Sequence, residues 1–254
     1  MADVNKDIYP HLVIKNNEHP NKLLAFPIVG IIIRTILLIP VYIVGWFLSI
    51  AYMILWIITP FVILFTGKYW DTAYNFNVGL MKLYTKVVLY MYGLTDKYPG
   101  FTMDTNGIFE LQYEKPQKPN RWLSLPVFGL IIRLILLIPY VIYESVLRYG
   151  TYIAVMASWF GVTFTGKYPE SLYEFNRDST RVALARMGYI TYMSDTYPSF
   201  WISMKHQTVK IVLIVIGALL MLSSFAGEPN PEAYDTDGAM YDSTQDATDI
   251  YSDF

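Results

Sequence analysis

The segment GIIIRTILLIP at residues 30–40 returns as GLIIRLILLIP at residues 129–139, with the glycine, the arginine and the proline at matching places. The segment FTGKY at residues 65–69 returns unchanged at residues 164–168. Both pairs are separated by 99 residues, and one constant offset along so much of the chain is typical of a tandem duplication. The chain therefore contains two copies of one unit.

The composition places these copies in a membrane. Hydrophobic residues make up 54% of the 254 residues and charged residues only 16%, whereas soluble domains are about 25% charged. The two long apolar runs, 26–65 and 128–164, are about twice the roughly 20 residues that cross a bilayer. We therefore predict a transmembrane helical hairpin at each, over 24–66 and 123–165. A shorter run, 211–227, predicts a C-terminal transmembrane helix.

Two charges mark the expected turn of the second hairpin. Glu144 and Arg148 lie near the middle of the run, just before Gly150, and charges at the bilayer centre are costly. We expect them at a hairpin tip that reaches water. A proton or ion pathway is the alternative, although copy one has the uncharged Gly45 and Ser49 at the matching positions.

Charge distribution predicts the orientation. The basic residues lie almost entirely in the polar segments 1–25, 66–122 and 166–210, and with hairpins all three segments share one side, which is the cytoplasm by the positive-inside rule. The N-terminus is then cytoplasmic, and the C-terminal helix carries the tail, 228–254, out of the cytoplasm. This tail has eight acidic residues and no basic ones. It reads as disordered, either a solvated extension or a segment that folds onto a basic partner.

Each repeat has four expected parts, within residues 8–102 and 107–201. A short cytoplasmic strand comes first, then the hairpin, then a turn at Thr-Gly-Lys-Tyr. The last part is an amphipathic helix over 70–93 and 170–192 with basic residues on it. Such helices bind anionic lipid or pack on their own strands. The fold class is a mainly α membrane protein, its copies related by a pseudo-twofold axis along the membrane normal.

The repeated motifs of the chain resemble those of a known family. Arg-x5-Pro, an apolar run ending in Phe-Thr-Gly-Lys-Tyr, and Asp-x-Tyr-Pro-x-Phe are similar to a bacterial membrane family named only as a domain of unknown function, DUF4389. The chain resembles two tandem copies, over about residues 8–201. Copy one departs from the pattern at Trp70, where copy two has Pro169. The resemblance implies a bacterial inner-membrane protein and brings no activity with it.

The candidate binding residues are basic. Arg34 and Arg133 lie about ten residues inside their hairpins, and a charged residue at that depth indicates a functional site by default. Each arginine binds a lipid phosphate or a partner's carboxylate, or else extends to the headgroups as an anchor. Further candidates for lipid or partner binding lie on the amphipathic helices: Lys82, Lys86, Arg177 and Arg181.

Enzymatic chemistry has little support. The chain has no cysteine, its three histidines lack metal-ligand spacing, and Thr-Gly-Lys lacks the glycines of a phosphate loop. We expect no cofactor, metal or nucleic acid. The leading hypothesis is a non-catalytic scaffold or accessory protein that binds anionic lipid, a membrane-protein partner or a second copy of itself through its cytoplasmic face. The alternative is a transporter or lipid-handling protein that uses Arg34 and Arg133 at the repeat interface.

Overall fold

The structure is a computed structural model that describes residues 10–15, 20–200 and 202–225. It is mainly helical, with a small two-stranded sheet. The elements are β1 (His11–Ile14), α1 (Val29–Thr66), α2 (Asp71–Met91), β2 (Phe109–Gln112), α3 (Phe128–Thr165), α4 (Glu170–Ile190) and α5 (Gln207–Phe225). Met1–Met221 form one compact unit. Of a second unit, Leu222–Phe254, only the last residues of α5 are described, so the predicted disordered tail lies outside the described residues.

The predicted hairpins are wrong. Each long apolar run forms one continuous helix of 38 residues, about 57 Å at 1.5 Å per residue. Glu144 is buried and paired with arginines, so it needs no water-exposed tip. Gly150 remains helical and lies against α5 instead of making a turn. Within the described residues, three helices are long and apolar enough to span a membrane, which are α1, α3 and α5.

Glycines end the two long helices. Gly67 and Gly166 are in the left-handed conformation, with φ of 67° and 73°, which glycine adopts without steric cost. Their N–H groups donate to the carbonyl oxygens of Ile63 and Val162. The chain then reverses, and α2 packs along α1 as α4 packs along α3.

The two repeats are related by a local twofold axis. β1 and β2 pair antiparallel, and Leu12 pairs with Leu111, its own counterpart in the duplication. The axis therefore passes between these two leucines. The Tyr69 hydroxyl donates to the Thr191 carbonyl across the interface at 3.1 Å, and the matching Tyr168 hydroxyl donates to the Tyr92 carbonyl at 3.2 Å.

Three layers follow from the packing of α2. One face of the helix carries Ala73, Met81 and Leu89, which belong to the core cluster that includes the sheet residues. The opposite face carries Leu83 and Tyr90, which pack against α1. The order is therefore the sheet, then α2 with α4, then α1 with α3.

Helix α5 begins at the middle layer and passes the outer one. The segment before it is tied to α4, because the Lys205 N–H donates to Glu174 at 3.0 Å. Further along, Gly217 lies directly against the backbone of α3 at Val146 and Gly150. The small residues at this crossing let the two helix backbones approach closely.

Candidate functional site

The Arg34 side chain is buried and holds three parts of repeat one together. Its guanidinium donates to the carbonyl oxygens of Leu24 (3.1 Å), Tyr90 (2.5 Å) and Thr95 (3.2 Å) and pairs with Asp96 at 2.6 Å. These partners come from the loop before α1, the end of α2 and the loop after it. The arginine therefore fixes the start of α1 to the end of α2.

Arg133 makes the same contacts in repeat two. It donates to the carbonyl oxygens of Leu123 (3.0 Å), Tyr189 (2.7 Å) and Ser194 (3.0 Å), and it pairs with Asp195. Both arginines are at most 1% exposed, and neither lines the two cavities described below. Most of their N–H groups are engaged within the chain, and binding of a lipid or partner at these arginines stays a prediction.

The other basic candidates do not share a surface. Lys86 is buried and donates to the Thr102 carbonyl at 2.5 Å, and burial lowers its pKa. Arg181 is buried beside Asp178, and burial lowers its pKa as well, against the opposing effect of that carboxylate. Arg177 donates to Asp178 at 2.9 Å, while Lys82 is half-buried on α2. These four residues therefore do not form one basic helix face for binding to a lipid surface.

A polar cavity of about 260 Å³ lies between the repeats. Glu144 lines this cavity; it is buried and pairs with Arg186 of α4 and, at 3.5 Å, with Arg148. Two cations around one anion leave a net positive charge. Apart from Val88 and Ala183, the other lining residues carry hydroxyl groups: Tyr84, Tyr92, Tyr152, Ser179 and Thr180. Burial raises the pKa of Tyr84 and of Tyr92, so both phenols stay protonated at neutral pH.

An apolar cavity of about 540 Å³ occupies the equivalent place on repeat one. Where the polar cavity has Glu144, Arg148 and Arg186, the apolar one has Gly45, Ser49 and Val87 at the matching positions. Tyr84, Val88 and Tyr92 line both cavities. The duplication has therefore produced adjoining cavities of opposite character.

Sequence reasoning placed Glu144 and Arg148 in water and missed their role in a cavity between repeats. Their spacing of four residues places both on one helix face, where they pair. Arg186 was not connected with them, because it lies 42 residues away on α4. The signal was a difference in charge between the copies at three matching positions.

This fold and this site define a duplicated, mainly helical protein with a polar cavity between its repeats and, in the part of the chain that the structure describes, three helices of membrane-spanning length and composition. The model of the family described as Domain of unknown function (DUF4389) matches residues 29–103 and 129–202. The chain belongs to this family and carries two tandem copies of its domain. No curated protein and no solved structure matches the chain.

Proposed function

We propose that this chain is a non-catalytic lipid-binding protein of the bacterial inner membrane that holds an anionic lipid between its two repeats. The observation that carries the proposal is the pair of adjoining cavities, one polar and positive, the other apolar, with three lining residues in common. This combination suits an amphipathic ligand. The proposal favours lipid handling over a scaffold role, and it moves the binding site away from Arg34 and Arg133.

The polar cavity suits an acidic headgroup. Arg148 and Arg186 each use part of the guanidinium on Glu144, and within the described part of the chain their remaining N–H groups have no partner. Guanidinium groups bind phosphate and carboxylate through paired hydrogen bonds. Arg148 has a side chain that is 49% exposed, so a headgroup can reach it. Glu144 holds both arginines in place.

The apolar cavity suits an acyl chain. Its volume lies within the range of about 300–1,000 Å³ that is usual for ligand sites. Apolar side chains make up most of its lining, among them Val41, Leu80, Val87 and Met91. An added Cβ at Gly45 would meet no atom within 4 Å, so the cavity is open at that point.

We place the N-terminus and the polar loops in the cytoplasm, with α5 crossing the bilayer and the tail outside. Lys205 precedes α5 and Lys210 lies in its first turn, and both favour this direction under the positive-inside rule. The two predicted hairpins are not part of this topology, because α1 and α3 are continuous helices.

Binding should depend on both cavities. The test is a titration of the detergent-purified chain with nanodiscs or micelles containing phosphatidylglycerol or phosphatidylcholine, read by native mass spectrometry. We expect retention of phosphatidylglycerol by the unaltered chain. Arg148→Gln should weaken it about tenfold, which corresponds to about 1.4 kcal/mol, because the headgroup loses a charged donor.

Gly45→Leu tests the acyl-chain part separately. Gly45 lines the apolar cavity and an added Cβ meets no atom within 4 Å, so we expect leucine to displace the chain of the lipid while the fold is kept. Lys68→Gln is the control, because Lys68 is exposed and lines neither cavity. Equal retention of both lipids, or unchanged retention in both cavity variants, contradicts the proposal.

A further inference from the structure

We infer that α1 and α3 lie along the cytoplasmic surface of the membrane, embedded in one leaflet, and that only α5 crosses it. This interaction surface is separate from the lipid-binding cavities and does not depend on them. It consists of the exposed apolar stripes of the two long helices.

The stripe of α1 runs along the whole helix. Its exposed residues recur every three to four positions: Ile32, Ile36, Ile39, Ile43, Phe47, Ile50, Ile54, Ile57, Phe61 and Phe65. The opposite side of the helix packs against α2. The stripe is therefore about 50 Å long at 1.5 Å per residue, much longer than the roughly 30 Å of a bilayer core. A helix that lies in the plane of the membrane has no such length limit.

The two long helices run in opposite directions. The Thr163 hydroxyl near the end of α3 donates to the Ala25 carbonyl just before α1, at 3.1 Å. At the other end, the Arg121 side chain from the loop before α3 lies against Gly67, which ends α1. If these helices crossed the bilayer, the twofold axis that exchanges them would have to lie in the plane of the membrane.

The sheet excludes that orientation. It lies on the axis, where Leu12 pairs with Leu111, and its outward positions carry Glu110 and Gln112, both exposed. An axis in the membrane plane would place this two-stranded sheet at the depth of the bilayer centre. Open strand edges do not occur in hydrocarbon, because their backbone groups have no partner there. The axis must therefore run along the membrane normal.

An axis along the membrane normal also fixes the order of the three layers relative to the membrane. The sheet faces water, α2 and α4 form the middle, and the stripes of α1 and α3 face the acyl chains. α5 starts at the middle layer and passes α3 at Gly150, so it points toward the lipid. Basic side chains lie at both ends of the long helices, with Lys22 beside Gly166 and Arg121 beside Gly67. Both ends are then on the cytoplasmic side, as the positive-inside rule requires.

The test uses single cysteines, because the chain has none of its own. Lys68 and Lys167 are matching exposed residues just after α1 and just after α3, and the antiparallel arrangement puts them at opposite ends of α1. Lys68→Cys and Lys167→Cys are labelled with a membrane-impermeant maleimide, in spheroplasts and in inside-out vesicles. We expect both to react in inside-out vesicles and neither in spheroplasts.

The contrary result is clear. If one of the two cysteines reacts in spheroplasts and the other in inside-out vesicles, α1 crosses the membrane and the inference is wrong. Phe47→Cys, on the middle of the stripe, should react in neither preparation, and its labelling in spheroplasts would also overturn the inference. Phe254→Cys tests the direction of α5, and we expect it to react in spheroplasts and to stay unlabelled in inside-out vesicles.

Discussion

Arg133→Leu is expected to lower the free energy of unfolding by about 3 kcal/mol, because removing one partner of a buried ion pair leaves the other charge uncompensated. The variant removes the guanidinium donor from the carbonyl oxygens of Tyr189 and Ser194 and from Asp195. For a chain of this size the loss corresponds to a fall in Tm of roughly 6 to 12 °C. Tryptophan fluorescence of the detergent-solubilised protein during heating measures it.

A matched control lies on the same helix. Arg148→Leu removes a half-exposed guanidinium whose partner Glu144 keeps Arg186, so it should change the free energy of unfolding by less than about 1 kcal/mol. Combining Arg133→Leu with Asp195→Asn should cost less than the sum of the two single changes, since the pair is coupled. A Tm for Arg133→Leu equal to that of Arg148→Leu would show that this arginine is not a structural link.

Gly217→Leu is expected to separate α5 from α3. A Cβ at this position would collide with the Val146 carbonyl oxygen and lie 2.8 Å from the backbone nitrogen of Gly150. Backbone atoms of a packed helix move only at a high cost in free energy. We therefore expect the free energy of packing α5 on α3 to fall by about 1–3 kcal/mol. Hydrogen exchange of residues 202–221 measures it, and their protection should fall while that of α2 is retained.

Gly45→Ala is the counterpart. Gly45 is also a helical glycine, but its added Cβ meets nothing within 4 Å. Alanine exceeds glycine in helix propensity by about 0.8–1.0 kcal/mol, so this change should stabilise α1 slightly. If Gly217→Leu kept full protection of residues 202–221, the close approach of α5 to α3 would not exist in solution.

The positions of the helices could be predicted from the sequence, but the continuity of α1 and α3 could not. Apolar length located α1, α3 and α5, and the repeated Thr-Gly-Lys-Tyr located the ends of the two long helices. No turn forms at Glu144, where one was expected. The expectation counted the free-energy cost of burying this charge and left out the residue that pairs with it. That partner, Arg186, is on another helix, and a single sequence does not show which distant residues meet.

The partners of the buried arginines were nearer to being predictable. Arg34 is separated from Asp96, and Arg133 from Asp195, by the same 62 residues. All four belong to the motifs that repeat, so an ion pair within each copy was the simplest interpretation of their joint recurrence. The carbonyl acceptors could not be predicted, because residue identity does not show which main-chain carbonyl groups accept a hydrogen bond.

The pairing of Leu12 with Leu111 has a consequence for how such a site arises. Two separate copies of one repeat, assembled about the same axis, would form a homodimer, and symmetry would make its two cavities identical. A change that introduced Glu144 in one would introduce it in both, and two charged cavities would leave no apolar neighbour. Joining the copies in one polypeptide removes this constraint, because each position can then change alone. A single polypeptide thus permits what a symmetric dimer forbids, a polar cavity beside an apolar one.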